Sequence, residues 1–201
     1  MEYGPAEALP QEISLVLGDA VHNLKTALDL AWVETITALI PTILDSHTRF
    51  PFRDTKDDLI NALQGRKIHE SNPRLFNLVI DDVQPYYGGN NAIWSLHALD
   101  IRDKHKLLIP VLDWTSRSGL QVEDNRGTIH DLTSVRTRGH AIVDRFPAGS
   151  KIKNEGKTFF EVQFEAGLPL QGAPVLYTMQ QLAQIVHSIV IVLESLCLVG
   201  K

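Results

Sequence analysis

A chain of 201 residues, 44% hydrophobic and 21% charged, has the length and composition of one folded globular domain and lies well outside the disordered class. Its net charge of −5 excludes the global basic field of a duplex-binding protein and leaves room only for a local basic patch. Cys197 is the only cysteine, which excludes an intrachain disulfide and a cysteine-built zinc site.

The acidic start MEYGPAEALPQE carries no positive n-region, so no signal peptide is expected and a cytoplasmic location follows. Between Pro10 and Pro41 apolar residues recur at helical spacing, predicting a first long helix over about 13–40. Residues 45–54, with Phe50-Pro51-Phe52 inside them, read as an extended connection, and Thr55 then caps a short helix over 55–63. Another short helix is expected over 73–83. Gly88-Gly89-Asn90-Asn91 reads as a turn that supplies a capping Asn for a helix over 91–105.

Beyond that helix the periodicity changes. The runs LLIPVL, GLQVE, HAIVDRF and TFFEVQFE, with turn signals at Asn125 to Gly127 and Asn154 to Gly156, predict a small antiparallel sheet over 107–165. Pro174 then opens, and Gly200 closes, a last helix over 174–198. The expected fold class is α+β: a single domain, a helical bundle with a small antiparallel sheet inserted before the C-terminal helix.

Two apolar stretches, 28–44 and 185–199, invite comparison with membrane spans. Asp29, Glu34 and Pro41 interrupt the first; His187, Glu194 and its shortness disqualify the second, so no membrane span is expected. On the last helix Leu182, Ile189, Leu193 and Leu196 form the main stripe. Val190 and Ile191 widen it enough for full burial, the favoured reading, or for a homodimer surface.

Chemistry concentrates on two helices. At about 100° per residue, Asp19, His22, Asn23, Thr26 and Asp29 share one arc of the first helix, opposite Leu17, Val21, Leu24, Leu28 and Trp32. These are short polar groups suited to fixed hydrogen bonds rather than the long charged side chains of a solvated face, and such networks are more often structural than catalytic. On the helix over 91–105, Trp94, Ala98 and Ile101 take one side, and Leu96 and Leu99 another. Between them runs a narrow polar stripe of His97, Asp100 and Lys104. Asp103 projects with Leu96 and Leu99, and His105 with Trp94 and Ala98, so both are expected to need partners, because an unpaired buried charge costs several kcal/mol. The competing reading is a helix C-terminus, where Lys104, His105 and Lys106 favour the dipole. GxGxxG, Walker A, HExxH and GxSxG signatures are missing from the sequence.

Two blocks carry a resemblance: Gly18-Asp19-Ala20-Val21-His22-Asn23-Leu24-Lys25-Thr26-Ala27-Leu28-Asp29, and Leu96-His97-Ala98-Leu99-Asp100-Ile101-Arg102-Asp103-Lys104-His105-Lys106. They resemble a family of uncharacterised bacterial proteins with GDxxHNLRxALD and LHxLDxxDKHR blocks, and the likeness extends over Phe50-Pro51-Phe52, FEVQF and the last helix. Lys25 and Lys106 stand where that pattern has Arg, and Leu30 where it often has His; Lys does not copy the bidentate geometry of Arg. A looser similarity is to HEPN-type helical ribonucleases. It implies a dimeric bundle with an Arg and a His on one helix and a polar residue on another, here Arg102 and His105 with Asn23 or Asp29. The Arg102 to His105 spacing is shorter than the RxxxxH-like pattern, and the β insertion is foreign to the simplest members, so this is an analogy at the level of fold.

Three functions follow as expectations. The first is a metal-independent, RNase-like enzyme acting on RNA without a cofactor, with His22, Asn23, Asp29, Arg102, Asp103 and His105 as catalytic candidates. His22 or His105 would move protons, Arg102 or Lys104 would steady a phosphate, and Asp29 or Asp103 would orient the histidine. The second is a divalent-metal site of His22, Asp29, Asp100, Asp103 and His105, for which no spacing is diagnostic. The third is a non-enzymatic module binding a small ligand or a protein, in which the polar blocks lock helices in register. An open cleft faced by Arg102 and His105 favours the first, three converging ligand atoms the second, and a closed hydrogen-bonded network the third.

Overall fold

The apolar spacing of the N-terminal third produces α1, Gln11–Leu39, in the computed structural model, which describes residues 9–106, 108, 110–135 and 146–199. One stripe of α1 is buried: Leu17, Gly18, Val21, Lys25, Leu28, Trp32 and Ile36. Pro41 cannot donate to the helix ladder, and the chain leaves α1 through a short 3-10 turn, Pro41–Ile43. Thr55 accepts the Asp58 N–H at 3.1 Å and opens α2, Lys56–Gly65.

The expected helix over 73–83 is helical throughout but changes its winding partway. A one-turn helix α3, Ile68–Ser71, precedes α4, Pro73–Asn77, whose start is capped by Asn72 accepting the Leu75 N–H at 2.9 Å. The chain then widens into a π-helical turn, Leu78–Val83, which ends at Gln84 in the left-handed region. That wider turn buries Val79, Ile80 and Val83 together. Asn90 accepts the Ile93 N–H and caps α5, Asn91–His105, which packs against α1.

After α5 come β1, Pro110–Glu123, β2, Ile129–Val135, and β3, Lys151–Phe164, in an antiparallel sheet of order β2-β1-β3. Pro110 to Leu112 of the LLIPVL run and all of GLQVE belong to the one strand β1. The turn at Asn125 to Gly127 joins β1 to β2, with Gly127 N–H on Asp124 C=O at 3.0 Å. Asn154 to Gly156 is not a reversal; it lies inside β3. Gly156 there sits opposite Gly119 of β1, both at positive φ (67° and 70°), and a Cβ on Gly156 would fall 2.5 Å from the Ser118 carbonyl oxygen. The Asn-Gly signature thus serves a close approach of two strands, with the Asn154 side chain accepting the Gly156 N–H. The expected strand HAIVDRF lies outside the described residues except for Phe146.

α6, Val175–Val199, follows and buries Leu182, Val186, Ile189, Leu193 and Leu196 on one face, leaving Ile191 and Val192 more than 40% exposed. It is longer than the 185–199 run, so shortness is not a valid argument against a membrane. Val175–Leu198 is long and apolar enough to cross one by length and composition, with mean hydropathy 1.7 and 28% of the stretch buried, a test that the core helix of a soluble protein also passes.

The described residues therefore form an α+β fold with the sheet inserted before the C-terminal helix. The chain divides into two compact units: a sheet unit containing Pro110–Ala166 and Gln171–Val175, and a helical unit of Pro10–Ile109, Gly167–Leu170 and Leu176–Lys201. In the sheet unit, Ala173 and Gly172 fold back onto Phe164 through backbone hydrogen bonds of 3.1 and 3.0 Å. The core of the helical unit includes Leu28, Ile36, Leu59, Leu63, Leu75, Ile93, Leu96 and Leu99, all below 2% exposed.

Candidate functional site

Asp100 is the centre of the α1–α5 contact. It is 2% exposed, and its two oxygens are taken by His22 Nδ1 at 2.9 Å and Lys104 Nζ at 2.5 Å. Lys104 reaches it from one helical turn ahead, the spacing at which side chains on a helix meet. Burial pushes the Asp100 carboxyl up, but the hydrogen bonds from Lys104 and His22 outweigh it and hold the group below the ordinary carboxylate value. A carboxylate only accepts, so the bond assigns the proton to Nδ1 of His22. That leaves Nε2 as a base on a side chain that is 54% exposed, with Thr26 Oγ1 at 3.5 Å. A carboxylate-oriented imidazole whose other nitrogen is exposed and meets only a distant hydroxyl is what proton transfer requires.

Lys25 is placed by the apolar stripe of α1, between Val21 and Leu28, and is only 7% exposed. Its ammonium is paired with Asp29, four residues on. Asp29 also accepts the Phe50 N–H at 3.1 Å, which ties the 50–53 segment to α1, while Arg53 N–H on Pro85 C=O at 3.1 Å ties its other end. Trp32, Phe50, Phe52 and His97 then meet in series, the first two pairs edge to face and the last stacked. Their centroid separations are 5.9, 4.9 and 4.5 Å, the last pair parallel within 4°.

Over this platform lies a cleft of about 360 Å³. Lys25 and Trp32 of α1, Arg49 to Arg53, Arg66 at the end of α2, and His97, Asp100 and Lys104 of α5 line it, with His47 at its edge. Five cationic side chains thus face one lining carboxylate. Three are partly offset: Lys25 by Asp29, Lys104 by Asp100, and Arg66 by Asp45, whose oxygens Nη2 reaches at 3.1 and 3.3 Å. A hydrogen bond from Thr48, with further help from His47 N–H and Arg66, holds the Asp45 carboxyl below its usual value. Arg49 and Arg53 remain as surplus positive charge; both are exposed, and Arg53 Nη1 donates to the Phe52 carbonyl at 2.6 Å. His97 is half-buried, and burial together with the neighbouring Lys25 holds it below the ordinary histidine value.

Of the sequence candidates, His22 is bonded to Asp100 and Asp29 holds Lys25 and the Phe50 backbone, and neither His22 nor Asp29 lines the cleft itself. Asn23 is exposed. Arg102 and Asp103 are half-buried and His105 is exposed, and none of the three lines the cleft. His105 does not enter apolar surroundings because α5 ends there, Lys106 being already extended. The Arg102–His105 pairing suggested by the ribonuclease analogy therefore does not face the cleft. Among the described residues no three His, Cys, Asp or Glu side chains gather as metal ligands; of the five named for a metal, His22 and Asp100 meet. What sequence reasoning missed is Lys25 and the cations at 49, 53 and 66. Lys25 had a visible signal, a charged residue in register with the apolar stripe; the loop arginines had none, since nothing local fixes which way they face.

Asp103 meets α1 at Gly18, where a Cβ would lie 2.6 Å from both carboxylate oxygens. Gly18→Ala is expected to cost about 1–2 kcal/mol through this overlap, despite its better helix propensity. In an Asp103→Ala background the same change is expected to gain up to about 1 kcal/mol. Urea denaturation of the four proteins checks the cycle; equal effects in both backgrounds would refute the contact.

No family model, no curated protein and no solved structure matches the chain, so the reading of this cleft rests on its own chemistry.

Proposed function

We propose that this protein is a cytoplasmic ligand-binding module whose cleft takes a phosphate-bearing ligand of nucleotide or RNA type. The observation that carries the reading is the excess of cationic over acidic side chains around the cleft in a chain of net charge −5. Oxyanions are the ligands that such a gathering of Lys and Arg recognises. About 360 Å³ lies at the small end of ligand sites, the size for a mononucleotide or one nucleotide of a strand. Trp32, Phe50, Pro51 and Phe52 are among the apolar residues of the lining. Calorimetric titration with adenosine monophosphate and with a short single-stranded RNA is expected to show binding that weakens as salt rises. Absence of binding by either at low salt would refute it.

His22 supports a second reading, metal-independent RNA cleavage. Its exposed Nε2, with only Thr26 Oγ1 at 3.5 Å, would take the proton of a ribose 2′-hydroxyl as that oxygen attacks phosphorus, Asp100 steadying the imidazolium and water protonating the 5′-oxygen that leaves. Under this reading cleavage is insensitive to EDTA, falls by roughly 10²–10⁴-fold in His22→Ala and is unchanged in His105→Ala. Cleavage that depends on His105 and not on His22 would sink it.

A further inference from the structure

We propose that His97 is the group on the floor of the cleft that meets the bound anion, and that it does so by taking up a proton, making anion binding tighter as pH falls. The inference rests on the reading of the cleft as an anion site and adds to it which residue contacts the ligand and how that contact is regulated.

Geometry carries it. The His97 ring is clamped flat on Phe52, so its orientation is fixed rather than adaptable. Its Nδ1 is sealed away from the cleft, without a hydrogen-bond partner among the described residues, so a ligand in the cleft meets the ring through its other nitrogen, Nε2.

The charges around His97 explain why it would change state only when an anion arrives. Lys25 and Asp29 face it from α1, and Asp100 and Lys104 from its own helix. His47, Arg49 and Arg53 of the loop, and Arg66 of α2, share the cleft with it. Burial and Lys25, the two largest influences, both favour the neutral ring; Asp100 opposes them, Lys104 adds to them, and Asp29 opposes. A bound oxyanion reverses that balance, since it supplies the negative charge and the acceptor that an imidazolium needs. The pKa of His97 is then higher in the complex than in the free protein. By linkage, affinity rises as pH falls between those two values, by at most about tenfold per pH unit.

Of the two other histidines nearby, His22 is bonded to Asp100 and does not line the cleft, and His47 lines it as an exposed side chain.

Sulfate is the probe, because it is a dianion with no proton of its own to exchange near neutral pH. Titration of the full chain by calorimetry at about pH 7, in two buffers of different ionisation enthalpy, is expected to show net proton uptake in the wild type. The uptake is expected to vanish in His97→Gln, which still binds sulfate through its lysines and arginines, and to persist in His22→Gln and His47→Gln. Nuclear magnetic resonance of the wild-type histidine rings gives a reading that does not depend on a folded variant: His97 is expected to move toward the imidazolium position as sulfate is added. Sulfate binding without proton uptake, with unchanged uptake in His97→Gln, or with a stationary His97 signal would overturn the role of His97 while leaving the anion site standing. No sulfate binding by the wild type at low salt would overturn the anion site itself.

Discussion

Asp29→Ala is expected to lower stability by about 3–5 kcal/mol, while Lys25→Met, at the other end of the same ion pair, is expected to cost less than about 1.5 kcal/mol. The asymmetry follows from burial. Lys25 is 7% exposed and lies between Val21 and Leu28, so removing Asp29 strands a charge in an apolar stripe. The Phe50 N–H loses its acceptor in the same substitution, beside a side chain only 3% exposed. Methionine in place of Lys25 removes the charge and fills the stripe with an unbranched apolar chain of similar length. Asp29, 20% exposed at its side chain, is then left near water with the Phe50 N–H still bound. Thermal unfolding is expected to show a Tm loss of roughly 6–20 °C for Asp29→Ala and a few degrees for Lys25→Met. Equal losses would mean that Lys25 finds another acceptor when Asp29 is gone, and would overturn the role of Asp29 as its partner.

The cleft offers the second large effect. Replacing Lys104 with Met and Arg49 with Ala together is expected to weaken sulfate or nucleotide binding by about 100-fold or more, since a hydrogen bond to a charged group is worth about 1.5–3 kcal/mol. The two residues come from α5 and from the 45–53 loop, so the loss tests whether both walls touch one ligand. Arg49 is exposed and its loss is expected to change stability little, whereas Met at 104 takes one of two partners from Asp100, which is 2% exposed, and is expected to lower stability, so binding is compared at a temperature where the double variant is folded. Arg74→Ala, an exposed cation outside this cleft, is the control and is expected to bind as the wild type does. Wild-type affinity in the double variant, measured by calorimetry at low salt, would overturn the assignment of these cations to the ligand.

The two effects share a cause. Asp29 and Asp100 are the acids that pair Lys25 and Lys104 in the lining of one cleft, and burial and Lys25 hold the neighbouring His97 below the ordinary histidine value. On the proposed reading, a ligand anion is the complement of this arrangement.

Helix placement was legible in the sequence because it depends on neighbours in the chain. The spacing of Leu17, Val21, Leu28 and Trp32 defined α1, and Thr55 and Asn90 announced α2 and α5 by capping chemistry that acts over three residues. The β runs and the turn before Gly127 were equally local. Where two local meanings compete, only packing chose between them: the Asn154 to Gly156 signature fits a turn and a close strand approach alike, and the opposing Gly119 selected the second.

The polar residues divide in the same way. Sequence alone determined that His22, Asp29, Asp100 and Asp103 are short polar groups on otherwise apolar helices, and therefore that they would be in fixed contacts. The identity of those contacts was decided by tertiary structure, because His22 and Asp100 are 78 positions apart and their approach depends on how α1 crosses α5. That packing made Asp29 a tie to Phe50 and set Asp103 against Gly18. It also left His105 outside the cleft and brought Arg49, Arg53 and Arg66 to its rim. A helix repeat fixes which residues share a face, whereas the charge that a face meets comes from elements distant in the chain.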